Sequence, residues 1–225
     1  GVSPVDKAIR EVFRGKIKAM RHLFRSCDEG RFDFSEADRC FDVIRAMNYA
    51  ERYREFYEKD PKSLGPNVRA NYEMAAGMSL PDVARAHSDQ TKLFRRFQQT
   101  FRDYDLVLAP TTPVSPFPWT QLYLDKMDGK PLRNYYHWLS LTYVITLATN
   151  PAISIPCGID HKGMPFGLQV VGRFRGDRFV LGAAHALEQA FAAIPALRRP
   201  VPDTRNLKKA EPALKSIVTH PPKNP

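Results

Sequence analysis

Three short apolar stretches are the only convincing strands in this sequence, and three strands cannot close a sheet. They lie at 105–109 (DLVLA), 152–156 (AISIP) and 167–172 (GLQVVG). Each is a short apolar run punctuated by Pro or Gly, the pattern of a strand buried on both faces. A three-stranded sheet of this kind leaves two edges whose N–H and C=O groups lack partners, and open apolar edges invite association. The pattern therefore predicts that something outside this sequence completes the sheet.

The last two strands belong to one stretch, 146–172, that organises its surroundings. Residues 135–149 before it are apolar and aromatic nearly all round, which predicts a buried helix. Strand 152–156 stops at Pro156-Cys157-Gly158, and the polar turn region 158–165 leads into 167–172. So short a connection favours an antiparallel pair. Asp177 is then placed to cap a helix whose core face is Phe179, Val180, Ala183, Ala184, Leu187 and Phe191. Order is expected to end near Ile194.

Upstream the pattern is helical. Val5, Ile9, Val12, Phe13, Ile17, Met20 and Phe24 share one face over 5–24. Ser35 with Asp38 suggests a capping box for a second helix, with Phe41, Ile44, Met47, Tyr49, Tyr53 and Phe56 as its apolar face. A short helical piece is expected near 68–74. Ser79, Pro81 and Asp82 form a stronger start signal. After it Val83, His87, Gln90, Phe94, Phe97 and Phe101 form a stripe, reinforced by Ala86 and Leu93, on which His87 reads as a structural histidine. The strand at 105–109 ends at Pro110, and the loop 111–119 (TTPVSPFPW) follows, its prolines forbidding regular pairing. A loop just past the carboxyl end of a buried strand is a common place for a binding surface. Residues 128–131 (DGKP) read as a turn.

Composition excludes several classes. With 225 residues, 43% hydrophobic and 26% charged, the chain is globular for most of its length. No run reaches the ~18 apolar residues of a membrane helix. The start has no apolar signal-peptide core and no initiator Met, so a trimmed or internal beginning is expected, although a tag scar would read the same. Cys27, Cys40 and Cys157 make an odd count without CxxC spacing, which points to a reducing, cytoplasmic setting rather than a disulfide framework. The six histidines are scattered, and neither a metal site nor a cofactor is indicated. Of the net charge of +10, the tail 198–225 supplies five, from seven Lys or Arg against Asp203 and Glu211. Its six prolines make it a basic, Pro-rich segment expected to be poorly ordered. Nucleic-acid binding is not favoured, because no aromatic-basic interleaving accompanies the charge.

Several blocks, taken in order, resemble the amidase-signature enzymes. YDLVLAPTTP (104–113) resembles the family's run from an aromatic-Asp pair through an apolar strand into Pro-Thr. NPAISIPCG (150–158) resembles its Asn-x-x-Pro-Ala-Ile-Ser-x-Pro-x-Gly block, with a shorter spacing between Asn150 and Pro151, where the family usually has a small residue or glycine. This departure leaves the role of Asn150 open. MPFGLQVVG (164–172), the helix carrying Leu187 and Glu188, and the helical region 64–81 fit the same order. The similarity covers about residues 60–195 and implies an α/β fold: the C-terminal half of the amidase-signature fold, part of a mixed β-sheet covered by helices. Residues 1–197 would be the C-terminal portion of a single amidase-like domain, with 198–225 as the tail.

The resemblance implies hydrolysis of linear amide C–N bonds by a Ser-Ser-Lys centre. Such chemistry needs a hydroxyl activated by a neutral base and N–H donors for the oxyanion. In the family these parts lie in a Gly/Ser-rich N-terminal segment. The 12 glycines here are dispersed, no Gly-Gly-Ser-Ser cluster occurs, and no catalytic residue is assigned. Thr111 and Thr112, at a strand end, and Trp138, beside the buried helix, are the substrate-pocket candidates, with ordinary packing as the competing reading. Cys157 reads as a buried small residue with no base nearby. The expected partners are a small amide substrate and the missing half, or a second chain completing the sheet; homo-oligomerisation stays open, and no membrane is implied. Two alternatives remain: part of the amidase-like component of a tRNA-dependent amidotransferase, and a non-catalytic scaffold or binding protein with the half-fold. Without its other half the chain is expected to be inactive.

Overall fold

The computed structural model describes residues 3–118, 121–209 and Pro212. Helices α1 (Lys7–Met20), α2 (Ala37–Lys59), α3 (Pro66–Ala76) and α4 (Leu80–Gln98) come first. Strand β1 (Val107–Pro110) and the small ribbon β2 (Lys126–Met127) and β3 (Lys130–Pro131) follow, the ribbon turning at Asp128 and Gly129, both with positive φ. Helix α5 (Ser140–Leu147), strands β4 (Ala152–Ile159) and β5 (Pro165–Val171), and helix α6 (Asp177–Ala192) complete the order.

The main sheet has the order β1-β5-β4, and both pairings are antiparallel. A parallel neighbour, which a mixed sheet requires, would have to come from beyond these three strands. Leu168 and Val170 of β5 and Ile155 of β4 face α1 and α6, in a core with Ile9, Met20, Leu187 and Phe191. The opposite face of β5 carries Gly167, Gln169 and Val171. Val171 joins a second core with Ala37 and Cys40 of α2, Leu93 and Phe97 of α4, and Tyr143 and Leu147 of α5. Helices thus cover both faces, while the edges of β1 and β4 carry no further strand among the described residues.

Several local expectations are refined. The capping box at Ser35 is not formed: α2 starts at Ala37, Glu36 makes no side-chain cap, and Ser35 Oγ donates to Glu36 instead. Asp38 is drawn to tertiary partners, accepting from the Tyr143 hydroxyl and pairing with Arg133. The buried face of α2 is Ala37, Cys40, Val43 and Ala46, small side chains that admit close neighbours, and Phe56 is exposed. At α4 the capping box of Ser79 and Asp82 is present. Its buried stripe runs through Ala86, Leu93 and Phe97, so His87 is turned to solvent and is not a core histidine. Asp177 is the first residue of α6 rather than its cap, and Phe179 is exposed. Leu197 is fully buried against the first core, so packing continues past Ile194. Residues 198–209 are described and mostly exposed; beyond them only Pro212 of the tail is described.

The helix expected over 135–149 is shorter, one 3-10 turn at His137–Leu139 leading into α5. The segment closes at Thr149, which takes φ 53. A β-branched residue in the left-handed region is strained, at a cost of about 1–2 kcal/mol. Asn150 explains why the strain is held. Its Nδ2 donates to the Gly172 carbonyl at 2.6 Å and its Oδ1 accepts from Gln98 at 2.8 Å, stapling the exit of α5 to the end of β5 and to α4. Thr149 is itself exposed. Thr149→Gly should therefore raise stability by about 0.5–1 kcal/mol, the relief of strain less the added unfolded-state entropy. A higher urea midpoint at unchanged slope is the expected readout.

Candidate functional site

The end of β1 and the adjacent part of β4 bring two hydroxyls together over β5. The Thr111 backbone N–H donates to the Gly167 carbonyl at 2.9 Å, extending the β1–β5 pairing by one residue. Its Oγ1 lies 2.7 Å from Ser154 Oγ, from the strand on the far side of β5. Gly167 lies between them. A Cβ there would come 2.9 Å from Thr111 Oγ1 and 3.0 Å from Ser154 Oγ, so only glycine lets the two hydroxyls meet across the central strand. Beside them Gln169 donates to the Leu141 carbonyl of α5 at 3.2 Å. Ser154 and Gly167 also line a cavity of about 320 Å³ with Pro156, Phe166, Arg199 and Pro200.

The sequence candidates separate in space. Thr111 is part of this hydroxyl pair. Thr112 is exposed and its hydroxyl donates to Val114 within its own loop, at 3.2 Å. The Trp138 indole N–H donates to the Tyr135 carbonyl at 3.1 Å, and its ring meets Phe117 edge-on at 5.5 Å between centroids. Trp138 therefore pins the proline loop to the entrance of α5. Ser154 escapes sequence reasoning because a lone serine in an apolar strand carries no signal of its own.

A second cavity, of about 350 Å³, opens between α2 and α5, against Phe41, Arg45, Tyr135, Tyr136, Leu139 and Thr146. Arg45 Nη2 donates to the hydroxyls of Tyr49 at 2.8 Å and Tyr135 at 2.7 Å. Its guanidinium lies 4.9 Å from the Tyr136 ring and 5.0 Å from that of Tyr49, within cation–π range. Burial acts against its charge, but the hydrogen bond to Tyr135 and the surrounding tyrosyl oxygens outweigh burial and raise its pKa. Next to it Asp42 takes the Tyr136 hydroxyl at 2.6 Å and an ion pair from Arg133. Burial first, then the hydrogen bond to Asp42, pushes the Tyr136 phenol well above its usual range.

Cys157 is fully buried, as a small residue, and burial pushes its thiol up to about 11. A lysine does stand near it, which the sequence does not show, yet the thiol stays raised. The buried Lys16 ammonium donates to the Ala196 carbonyl at 2.6 Å and lies where a side chain at Gly158 would be. Burial lowers the Lys16 pKa, opposed by Cys157 and Asp160. Among the described residues no cluster of His, Cys, Asp or Glu could hold a metal.

An antiparallel sheet covered by helices, with open edges and a hydroxyl pair at a strand end, places the chain among sheet-centred α/β proteins. The Amidase family matches residues 10–181, and the chain belongs to that family. One relative is the glutamyl-tRNA(Gln) amidotransferase "A" component of Brevibacillus brevis, 33% identical over 151 residues, a match covering 65% of this chain and 30% of that protein. The component of the same name from Prochlorococcus marinus is 38% identical over 119 residues, covering 53% of this chain and 23% of that one. Among solved structures the chain superposes on an amidase with a TM-score of 0.74 at 20% identity, over 83% of this chain and 42% of that one. A bacterial aryl acylamidase of the amidase signature family gives 0.70 at 19% identity, over 88% and 44%. The chain thus matches less than half the length of these relatives. No described helix is long and apolar enough to cross a membrane.

The loop that carries Thr111 is held by Asp160. This buried carboxylate accepts from Ser115 Oγ at 2.5 Å and from the backbone N–H of Lys162 at 2.8 Å and Met164 at 3.0 Å. Burial pushes its pKa up, but Ser115 and the two amides outweigh burial, and the net shift is downward. A carboxylate depressed on folding adds stability that is fully present above the unfolded value of about 3.9 and is lost as pH falls through the folded value. Asp160→Asn should cost about 2 kcal/mol at pH 6. The gap from the parent chain should narrow steadily below about pH 4 in urea titrations at a series of pH values.

Proposed function

We propose that this chain is the C-terminal part of an amide hydrolase that acts on linear amide C–N bonds. Residues 1–197 form its share of a single domain, and 198–225 are an appended basic tail. The observation that carries the reading is the Thr111–Ser154 hydroxyl pair over Gly167, at the end of a sheet whose two edges are unpaired among the described residues. The activated serine and its lysine come from the segment or second chain that completes the sheet. This chain supplies the wall behind the substrate, with Thr111 presented to the pocket and Trp138 holding the loop beside it. A reducing, cytoplasmic setting suits the three free cysteines.

A second reading is favoured by the relatives named as glutamyl-tRNA(Gln) amidotransferase components. In that case the chain is part of an amidotransferase component that acts on a charged tRNA with partner proteins.

The test is a panel of simple amides, glutamine included, assayed for ammonia or amine release. It compares this chain alone with the polypeptide or complex that holds the rest of the domain. The complete domain should turn over at least one amide and the isolated chain none. Thr111→Val should lower kcat/KM by roughly tenfold, the value of about one hydrogen bond in a desolvated site. Release from glutamine alone, stimulated by tRNA, selects the second reading. A complete domain that binds amides without cleaving any leaves the half-fold as a scaffold and overturns the proposal.

A further inference from the structure

The cavity between α2 and α5 is lined by a cation that is held by phenols and paired with no carboxylate among the described residues. Arg45 is the one charged side chain among the described residues that line it. No carboxylate pairs with it among the described residues, because Asp42, the nearest acid along the helix, is taken by Arg133 and Tyr136. Nη2 is spent on Tyr49 and Tyr135, while Nε is buried without any acceptor. A buried donor left unmade costs free energy, and a charged one more than a neutral one.

Two further observations fix the Arg45 side chain in place. The Tyr135 hydroxyl that holds it also accepts from Asn71 Nδ2 at 2.9 Å. Asn71 is 3% exposed, and its Nδ2 donates to the Asn67 carbonyl at 2.6 Å as well. Only the amide nitrogen can donate to a carbonyl, so its orientation is determined and Oδ1 is left without a donor. Tyr135, which holds Arg45 together with Tyr49, is thus fixed from behind by Asn71. The other wall is mainly aromatic and aliphatic, with Thr142 and Thr146 beside it: Phe41 stacks on Tyr143 at 4.1 Å, and Leu139 is 38% exposed at the rim. A planar guanidinium held on one edge, facing a mainly aromatic and aliphatic wall, matches a carboxylate carried on an apolar body.

We propose that the α2–α5 cavity binds the carboxylate of an apolar organic acid through Arg45, and that it makes the protein select amides bearing an acid group away from the cleaved bond. The proposal takes its biological meaning from the amide-hydrolase reading above. Its readout is binding rather than turnover, so the two can fail separately.

The experiment is calorimetry on the full chain with phenylacetate and with phenylacetamide, which share one body and differ in charge. Phenylacetate should bind roughly tenfold more tightly than phenylacetamide at low salt, and the preference should fall as salt rises. Arg45→Gln should remove the preference, weakening phenylacetate roughly tenfold while leaving phenylacetamide within about twofold. Near-UV circular dichroism of that variant checks the tyrosine collar. Thr146→Glu, at an exposed rim position, places a competing carboxylate without disturbing the collar and should weaken phenylacetate alone. If Arg45→Gln does not fold, Thr146→Glu decides. Equal binding of the two probes, no binding of either, or phenylacetate binding that survives both variants overturns the proposal. Amide turnover without charge selection would sink this inference and leave the hydrolase reading intact.

Discussion

Strand β5 is the element that joins the main sheet to both cores of the fold. Both remaining strands of the main sheet pair with it, from opposite sides, along Leu168 to Val171. Its side chains alternate between two cores, Leu168 and Val170 toward α1 and α6, Val171 toward α2, α4 and α5. Central strands buried on both faces must be apolar throughout, and that requirement is what makes 167–172 so visible. Two exceptions in the run, Gly167 and Gln169, are where the strand does something other than pack. Gly167 makes room for two hydroxyls, and Gln169 ties the strand to α5. Close packing also reaches Gly172, just past the strand, where a Cβ would come 2.3 Å from a Val180 methyl.

The elements that announce themselves locally are legible in the sequence. The Ser79 capping box, the Asp128–Gly129 turn and the antiparallel connection between β4 and β5 depend on residues a few positions apart, and each is present. The errors arise where a distant partner competes with a local one. Asp38 sits at the right spacing to return a bond to Ser35, yet Tyr143 and Arg133 take it, each offering a stronger donor than a backbone amide at a solvated helix end. The face of α2 misleads for a related reason. Aromatic size suggests Phe41 to Phe56 as the core stripe; Phe41 and Ile44 do pack against the second core, but α2 enters it through Ala37 and Cys40, and Phe56 is exposed. Periodicity alone puts His87 in the core, although the neighbouring Ala86, Leu93 and Phe97 satisfy the same period with the helix turned slightly.

The candidate sites are less legible than the fold, because each is assembled across the chain. Thr111 stands out from its place at a strand end, but its partner Ser154 is 43 residues away and the gap that lets them meet is the absent side chain of Gly167. The bond between Asp160 and Ser115 likewise joins residues 45 apart, and it fixes a loop of which the sequence shows only that its prolines forbid regular pairing. The tyrosine collar draws Arg45 and Tyr49 from α2, Asn71 from α3 and Tyr135 from the segment before α5. None of these residue types is unusual alone. What distinguishes them is that a guanidinium has been surrounded by phenols rather than by carboxylates, and only coordinates show that.

The distribution of satisfied and unsatisfied groups separates what this chain does alone from what it leaves to another. Its two cores are closed by its own residues: Leu93, Phe191, Leu168 and Leu197 are all fully or almost fully buried. The Ser79 cap of α4 and the Asp6 cap of α1 are local. What lacks a partner among the described residues is the outer edge of β1 and of β4 and three buried side-chain atoms, Arg45 Nε, Asn71 Oδ1 and Ser140 Oγ. The two cores are filled by the chain itself, and the unmatched groups named here are polar. Edge backbone groups call for a strand, paired hydroxyls for a polar substrate, and a lone cation in an aromatic collar for an anion. These demands sit on separate elements of one chain, and each differs in chemistry: backbone groups at a strand edge, a hydroxyl pair over β5, and a cation beside α5.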